Sequence, residues 1–288
     1  MYCEHCGNGI EESAKFCTKC GQDVQSPQVK KRGRFFAKKK YIFATIAILV
    51  LLIFFSFFYF SKPTTNQTNQ DIAAAVVNIY CEGDSEEDAS GGSGTIFSED
   101  GLVLTNAHII PANYREDEIN CLVILPDPTT GSPKEIYNAY PIIIPHLSEE
   151  YDLAFMQIHD VFYDYEEGKA YGEYPKKFPV YTDGKKCTES SVELGEPVRV
   201  YGYPAISGGY ALTITDGVVS SLLLEEGLII TSAKISYGNS GGLAVDQNGC
   251  MIGVPSMVTG DENESLGIII STDLISEFAE QVDALSGE

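Results

Sequence analysis

Between Tyr41 and Phe60 the chain runs for twenty residues without a charged side chain (YIFATIAILVLLIFFSFFYF). A helix of that length spans about 30 Å, the thickness of a bilayer's hydrocarbon core. A water-exposed helix this long carries a polar face, and this run has none. Its ends are rich in aromatic residues (Tyr41, Phe57, Phe58, Tyr59, Phe60), as interfacial belts are. Forty residues precede the run and no small-x-small cleavage site follows it, so an uncleaved signal anchor fits better than a removed signal peptide. The prediction is a transmembrane helix over residues 41–60.

The charge distribution gives that helix a direction. Residues 1–62 hold ten Lys/Arg against four Asp/Glu, whereas the remaining residues hold nine against thirty-seven, within an overall net charge of −22. Seven of the bases fall in residues 30–40 and only Lys62 lies close behind the span. The positive-inside rule then predicts a single-pass cell-membrane protein with a cytoplasmic N-terminus and an extracytoplasmic C-terminal part. The acidic excess argues against a nucleic-acid partner. The basic stretch sits where topology and anionic lipid headgroups account for it, so residues 22–40 are expected to be a juxtamembrane tether. Residues 61–71 (SKPTTNQTNQD) are expected to be a polar linker.

Four cysteines, Cys3, Cys6, Cys17 and Cys20, form two C-x2-C pairs ten residues apart, each followed by glycine (Gly7, Gly21). A C-x2-C turn converges two thiolates, and two such turns supply the tetrahedral four-sulfur site that Zn2+ prefers. A reducing cytoplasm disfavours the disulfide alternative. Residues 1–21 resemble the short zinc ribbons at the N-termini of many prokaryotic membrane proteins. His5 is not needed as a ligand. So small a ribbon has almost no core, and metal binding would supply its folding free energy. Its cytoplasmic partner cannot be read from the residues.

From Ile72 onward short β-branched runs alternate with Gly, Pro and acidic turns. The expected strands are Ala75–Tyr80, Gly94–Ser98, Leu102–Thr105, Cys121–Leu125, Tyr140–Ile144, Leu153–Ile158, Pro197–Tyr203, Leu212–Ser220, Leu228–Ser232, Leu243–Val245, Met251–Pro255 and Gly267–Ser271. Such spacing without intervening helical periodicity reads as an all-β antiparallel barrel or sandwich. One helix is expected at the end, Thr272–Ala284, capped by Ser271, Thr272 or Asp273, with Leu274, Ile275, Phe278 and Val282 on its apolar face.

Three local motifs carry chemistry. Gly238-Asn239-Ser240-Gly241-Gly242 can expose a serine hydroxyl on a tight turn and aim backbone N–H groups at one point. Thr105-Asn106-Ala107-His108 places a histidine directly after an apolar strand, and Tyr151-Asp152-Leu153-Ala154 opens another strand with an aspartate. Each alone is ordinary: a β-turn, a structural histidine, a turn aspartate. Together they read His108, Asp152, Ser240, with spacings of 44 and 88 residues.

That order, with the stretches GGSGTIFSEDGLVLTNAHII (91–110), YDLAFMQI (151–158), VRVYGYPAISGGYALTITDGVVSS (198–221) and TSAKISYGNSGGLAVDQNGCMIGV (231–254), resembles the trypsin-like serine proteases, most closely the HtrA/Deg group. The similarity covers roughly residues 72–284. It implies two six-stranded antiparallel Greek-key β-barrels with a C-terminal helix, and peptide-bond hydrolysis in the cleft between them without a catalytic cofactor. By matched position His108 would be the general base, Asp152 its orienting carboxylate and Ser240 the nucleophile. The Gly238-Asn239-Ser240 turn would form the oxyanion hole through the Gly238 and Ser240 N–H groups. Gly253, Val254, Pro255 and Ser256 would line the substrate pocket and pair with substrate backbone. Lys234, six residues before Ser240, would either lie at the pocket base and favour an acidic side chain before the scissile bond, or face solvent.

The chain departs from the family pattern in several places. The usual Asp eight residues before the serine is Ser232, and the usual Pro after the glycines is Leu243. The PDZ domain that commonly follows such proteases has no counterpart expected after Ala284. The resemblance implies polypeptide substrates, in particular misfolded or exported proteins, and homo-oligomers are known among relatives. The alternative is an inactive protease-like module that binds peptides or senses stress across the bilayer. Cys81, Cys121, Cys187 and Cys250 fall in a compartment that permits disulfides, with three connectivities open. Acid clusters in the loops read as solvated surface, since none has EF-hand spacing.

Overall fold

A computed structural model of the protein describes residues 1–24, 68–83, 89–111, 121–182, 192–259 and 266–286. Contacts divide the chain into two units, Met1–Pro63 and Thr64–Glu288. The expected transmembrane helix at 41–60, the tether from residue 25 and most of the linker lie outside the described residues. No helix among the described residues is long and apolar enough to cross a membrane.

The first unit is built from two copies of one turn. Cys3 N–H donates to Asn8 O and Gly7 N–H to Cys3 O. Cys17 N–H donates to Gln22 O and Gly21 N–H to Cys17 O, all at 2.8–2.9 Å. Antiparallel bridges Tyr2–Gly9 and Phe16–Asp23 close the two loops. Cys3 and Cys17 are buried, and Cys6 and Cys20 are exposed.

The second unit opens with α1 (Asn69–Ala75). This corrects the polar linker expected through Asp71. Thr68 and Asp71 form a capping box, each side chain accepting from the other's backbone N–H, which satisfies donors that a helix start otherwise leaves unpaired. Ile72 and Ala75 are then buried. Strands β1 (Val76–Cys81), β2 (Ser90–Ile96), β3 (Leu102–Thr105), β4 (Cys121–Pro126), β5 (Pro133–Ile142) and β6 (Ala154–Val161) close a barrel in the order β1-β2-β3-β6-β5-β4. Before β6 stands α2 (Pro145–Tyr151), a helix where the sequence pattern predicts none. A two-stranded hairpin follows, β7 (Tyr163–Asp164) with β8 (Lys169–Ala170).

The second barrel repeats the first. Strands β9 (Pro197–Gly202), β10 (Thr213–Leu223), β11 (Leu228–Thr231), β12 (Leu243–Val245), β13 (Met251–Thr259) and β14 (Leu266–Ser271) close in the order β10-β11-β14-β13-β12-β9, which read cyclically is the same connection pattern. All named pairings in both barrels are antiparallel, as the sequence predicts. Each barrel is filled from inside, the first by Val77, Ile79, Val123, Tyr137, Met156 and Phe178, the second by Val200, Val219, Ile229, Ile252 and Ile269. The outward faces of several strands are also apolar, because they pack between the barrels and under the helices. One such cluster joins Ile72 and Val76 to Tyr201, Tyr203 and Leu243.

Helix α3 (Thr272–Ser286) follows β14. Ser271 Oγ accepts from Leu274 N–H at 3.5 Å. Leu274, Ile275, Phe278 and Val282 pack against Leu104, Leu147, Leu153 and Val254, so the expected apolar face is the packed one. Phe278 contacts the ring of Tyr151 at the end of α2, and Gln281 Nε2 donates to Tyr151 Oη at 2.6 Å.

A disulfide joins Cys81 to Cys121, directly paired residues of β1 and β4. Cys250 is also disulfide-bonded, while Cys187 lies outside the described residues. The Cys81–Cys121 bridge closes a loop of sequence separation 40, and a cross-link of that reach stabilises mainly by restricting the unfolded chain. Replacing both cysteines with serine is expected to lower unfolding free energy by about 2–4 kcal/mol, measured by chemical denaturation under non-reducing conditions.

Candidate active site

His108 lies in a single 3-10 turn, Ala107–Ile109, directly after β3. Asp152 follows the last residue of α2 and is the only described non-glycine residue with positive φ, at φ 52°, ψ 38°. That left-handed step turns the chain sharply from helix into β6, and Asp pays a smaller steric penalty there than most residues. The turn is held from outside: Asn106 Nδ2 and Ala107 N–H donate to the Asp152 carbonyl at 2.7 and 3.2 Å.

The Asp152 carboxylate is surrounded by donors. His108 Nδ1 lies 2.9 Å from both of its oxygens, and His108 N–H donates to Oδ1 at 3.1 Å. Asn106 Nδ2 reaches Oδ2 at 3.1 Å, and Ser256 Oγ donates to Oδ2 at 2.7 Å. A carboxylate only accepts, so Nδ1 carries a proton toward it, and in the neutral imidazole the lone pair is then on Nε2. The His108 side chain is 48% exposed, and no described residue hydrogen-bonds its Nε2.

Ser240 is nearly buried. Its hydroxyl donates to the Ser256 carbonyl rather than to His108. The structure therefore brings His108 and Asp152 into direct contact and ties Ser240 to the same network through Ser256. Rotation about one side-chain bond redirects the hydroxyl, and such contacts commonly tighten only when substrate is present.

The turn around Ser240 depends on glycine. Gly238 has φ +96°, and a Cβ there would lie 2.2 Å from Tyr203 O. Tyr237 O is turned away and accepts from Ala205 N–H at 2.8 Å. The Gly238 and Ser240 N–H groups have no acceptor among the described residues. Asn239 is different: its N–H donates to Ser236 O at 3.0 Å, so it is not free beside those of Gly238 and Ser240. It supports the loop instead, with its side chain buried and its Nδ2 3.5 Å from Lys234 O.

The expected pocket residues separate. Gly253 pairs with Ala244 on one edge and Ser271 on the other, so it has no free edge for a substrate. Val254 is fully buried in the cluster under α3. Only the end of the segment reaches the Ser240 loop: Pro255 O accepts from Gly241 N–H at 2.9 Å, and a bulge between Pro255 and Met257 frees Ser256 to face both Ser240 and Asp152. Lys234 is exposed, and its carbonyl accepts from Thr215 Oγ1 at 2.9 Å. The Lys234 side chain thus faces solvent. Two roles escaped the sequence reading. Asn106 was visible in the Thr105–His108 motif, but a buried amide bridging an aspartate 46 residues away leaves no local pattern; Ser256 was read as pocket wall, not as a donor to Asp152.

The four N-terminal cysteine sulfurs all lie within 4.8 Å of one another. The Cys3–Cys20 and Cys6–Cys17 separations are 3.7 and 3.6 Å. Sulfurs about 2.3 Å from a central zinc would sit about 3.8 Å apart, so the cage fits the ion. The N–H groups of Lys19 and Cys20 lower the Cys17 thiol to about 6. The Asn8 N–H also pulls Cys6 down, but crowding against Cys20, Cys17 and Cys3 pushes it up to about 12. Four thiolates this close repel one another until a cation neutralises them.

Substituting Gly238 with alanine forces a side chain into backbone at positive φ. It is expected to cost about 2 kcal/mol or more, read as a lowered denaturation midpoint, with the loop rather than the barrels losing hydrogen-exchange protection.

Comparison with known proteins agrees with this architecture. Residues 2–24 match the zinc-ribbon domain, and residues 92–254 match the trypsin-like peptidase domain. Serine protease HTRA1 of Xenopus tropicalis is 29% identical over 203 residues, 67% of this chain and 36% of that protein. Serine protease HTRA3 of Homo sapiens is 30% identical over 203 residues, 66% and 37% respectively. The mitochondrial serine protease HTRA2 of Drosophila persimilis is 31% identical over 204 residues, 67% and 39%. The chain thus spans under two fifths of the length of these three relatives. A serine endoprotease from Yersinia pestis superposes with a TM-score of 0.54 at 27% identity, covering 76% of this chain and 66% of that one. With two closed barrels of like topology and a family match across more than half its length, the chain belongs to the trypsin-like peptidase family.

Proposed function

We propose that the protein is a membrane-anchored serine endopeptidase that cleaves extracytoplasmic polypeptides. The observation that carries this reading is the His108–Asp152 contact, with Nδ1 bound to the carboxylate at 2.9 Å and no described residue hydrogen-bonded to the opposite nitrogen. Ser240 Oγ attacks the scissile carbonyl as His108 Nε2 takes its proton, giving an acyl-enzyme. His108 returns that proton to the leaving amine. Asp152 holds the tautomer and stabilises the imidazolium. The Gly238 and Ser240 N–H groups take the developing oxyanion, each such donor being worth about 100- to 1000-fold in rate. Misfolded or exported proteins are the substrates that the family resemblance supports, within homo-oligomers or without.

The topology reading, with residues 41–60 spanning the membrane and the peptidase domain outside, draws support from cysteine chemistry. The four N-terminal thiols are free, whereas Cys81, Cys121 and Cys250 are disulfide-bonded. Reduced and oxidised cysteines in one chain fit two compartments. The ribbon then faces the cytoplasm, where Cys3, Cys6, Cys17 and Cys20 hold Zn2+ and present it to a cytoplasmic partner.

A second reading has one observation in its favour. The Ser240 hydroxyl is bonded to Ser256 O and not to His108, as suits an inactive peptide-binding or stress-sensing module. A fluorophosphonate probe separates the two. Covalent labelling of the wild type, abolished in Ser240→Ala, is the expected result. A wild-type chain that stays unlabelled while its fold is intact would favour the binding module.

Chelation tests the ribbon. Stripping the metal from the full chain is expected to release one zinc per chain and collapse the backbone protection of residues 1–24. The cooperative unfolding of the barrels should be unchanged, since each unit has its own contacts.

A further inference from the structure

Resting on the peptidase reading, we infer that a tyrosine-walled pocket beside Gly238 selects a large apolar side chain on the leaving-group side of the scissile bond. The pocket has a volume of about 560 Å3 and is lined by elements of both barrels, among them Tyr80, Gly92, Tyr203, Tyr210, Tyr237 and Gly238. Specific small-ligand clefts run about 300–1,000 Å3, so this one has room for an aromatic ring or a branched aliphatic chain.

Its position follows from what surrounds Ser240. The hydroxyl and the next N–H face the Pro255–Ser256 end of β13. The Ser240 carbonyl faces β2, where it accepts from Ser93 N–H at 2.8 Å, and a Cβ on Gly92 would lie 3.1 Å from it. With the acyl half of a substrate along Pro255–Ser256, the leaving half passes Gly238 and the Gly91–Gly92 segment, across the mouth of this pocket.

Its chemistry is unlike the surface around it. Residues 63–288 carry nine bases and thirty-seven acids, yet among the described residues no charged side chain lines the pocket. Tyr210 and Tyr237 are 67% and 87% exposed, so both rings offer apolar surface at the pocket rim. The wall is also held in place. Asn78, itself buried, donates its amide to Gly209 O and ties the 204–212 loop to the first barrel. A charged side chain entering here would lose water without gaining a partner, and an acidic one would meet the negative field of the domain as well. An apolar side chain would cover exposed ring surface at about 25 cal/mol per Å2 of area removed from water.

The test uses the full chain and peptide libraries held constant before the scissile bond and varied at the three positions after it. At one of those positions Phe, Leu or Met is expected to give kcat/KM at least about ten-fold above Asp or Gly. Tyr210→Lys, a substitution at an exposed residue, is expected to reverse the order and favour Asp. A flat profile, a preference for charged residues, or unchanged selectivity in Tyr210→Lys, in an enzyme whose Ser240 still labels with fluorophosphonate, overturns the pocket assignment alone. Failure of the wild type to label overturns the peptidase reading and the pocket with it.

Discussion

At the Asp152 carboxylate, groups from both barrels meet on one acceptor. From the first barrel it receives the His108 ring, the His108 N–H and the Asn106 amide. From the second it receives the Ser256 hydroxyl. Hydrogen bonds to an ionised acceptor are roughly twice as strong as neutral ones. Four donors converging on one carboxylate also leave it little freedom to turn. Each barrel closes its own sheet and fills its own interior, so nothing in either alone requires a particular angle between them. This shared acceptor, the apolar clusters at the seam and the hydrogen bonds from Ser93 and Asn78 to the second barrel together supply that requirement.

The backbone that presents Asp152 explains why helices appear where the strand pattern left none. A left-handed residue at φ 52° is unfavourable for a side chain with a Cβ and persists only when its surroundings hold it. Here Asn106 and Ala107 hold the carbonyl from one side. Helix α2 holds the approach, and Tyr151 is gripped by Phe278 and Gln281 of α3. The C-terminal helix, an amphipathic end in the sequence pattern, thus braces the residue before Asp152.

What the sequence made legible follows from the range of each interaction. The all-β class, the strands and the apolar face of α3 rest on local periodicity, while the two-barrel arrangement came with the family resemblance; the strands agree with expectation to within a few residues except β5, which starts at Pro133 rather than Tyr140. The cysteine knuckles and the His108, Asp152 and Ser240 motifs are short and self-contained. Helices α1 and α2 are seven residues each, too short for a period to emerge. The functions of Asn106 and Ser256 arise from contacts 46 and 104 residues away. Gly253 and Val254 sit in the same strand as Ser256, yet β12 and the packing under α3 claim them. Strand membership was readable; which edge stays open was not.

Asn239 illustrates the same limit at the scale of one turn. A Gly-Asn-Ser-Gly-Gly sequence offers several N–H groups to an oxyanion, and composition cannot rank them. The ranking comes from the partners: Ser236 O takes the Asn239 N–H, and Tyr203 O crowds the space where a Gly238 side chain would stand. With Tyr237 O drawn off to Ala205 N–H, no carbonyl from that position competes for the remaining donors. The turn therefore separates its amides into one that builds the loop and two that stay available. That division depends on β9 lying against the Ser240 loop, which is a property of the closed second barrel rather than of the five residues themselves.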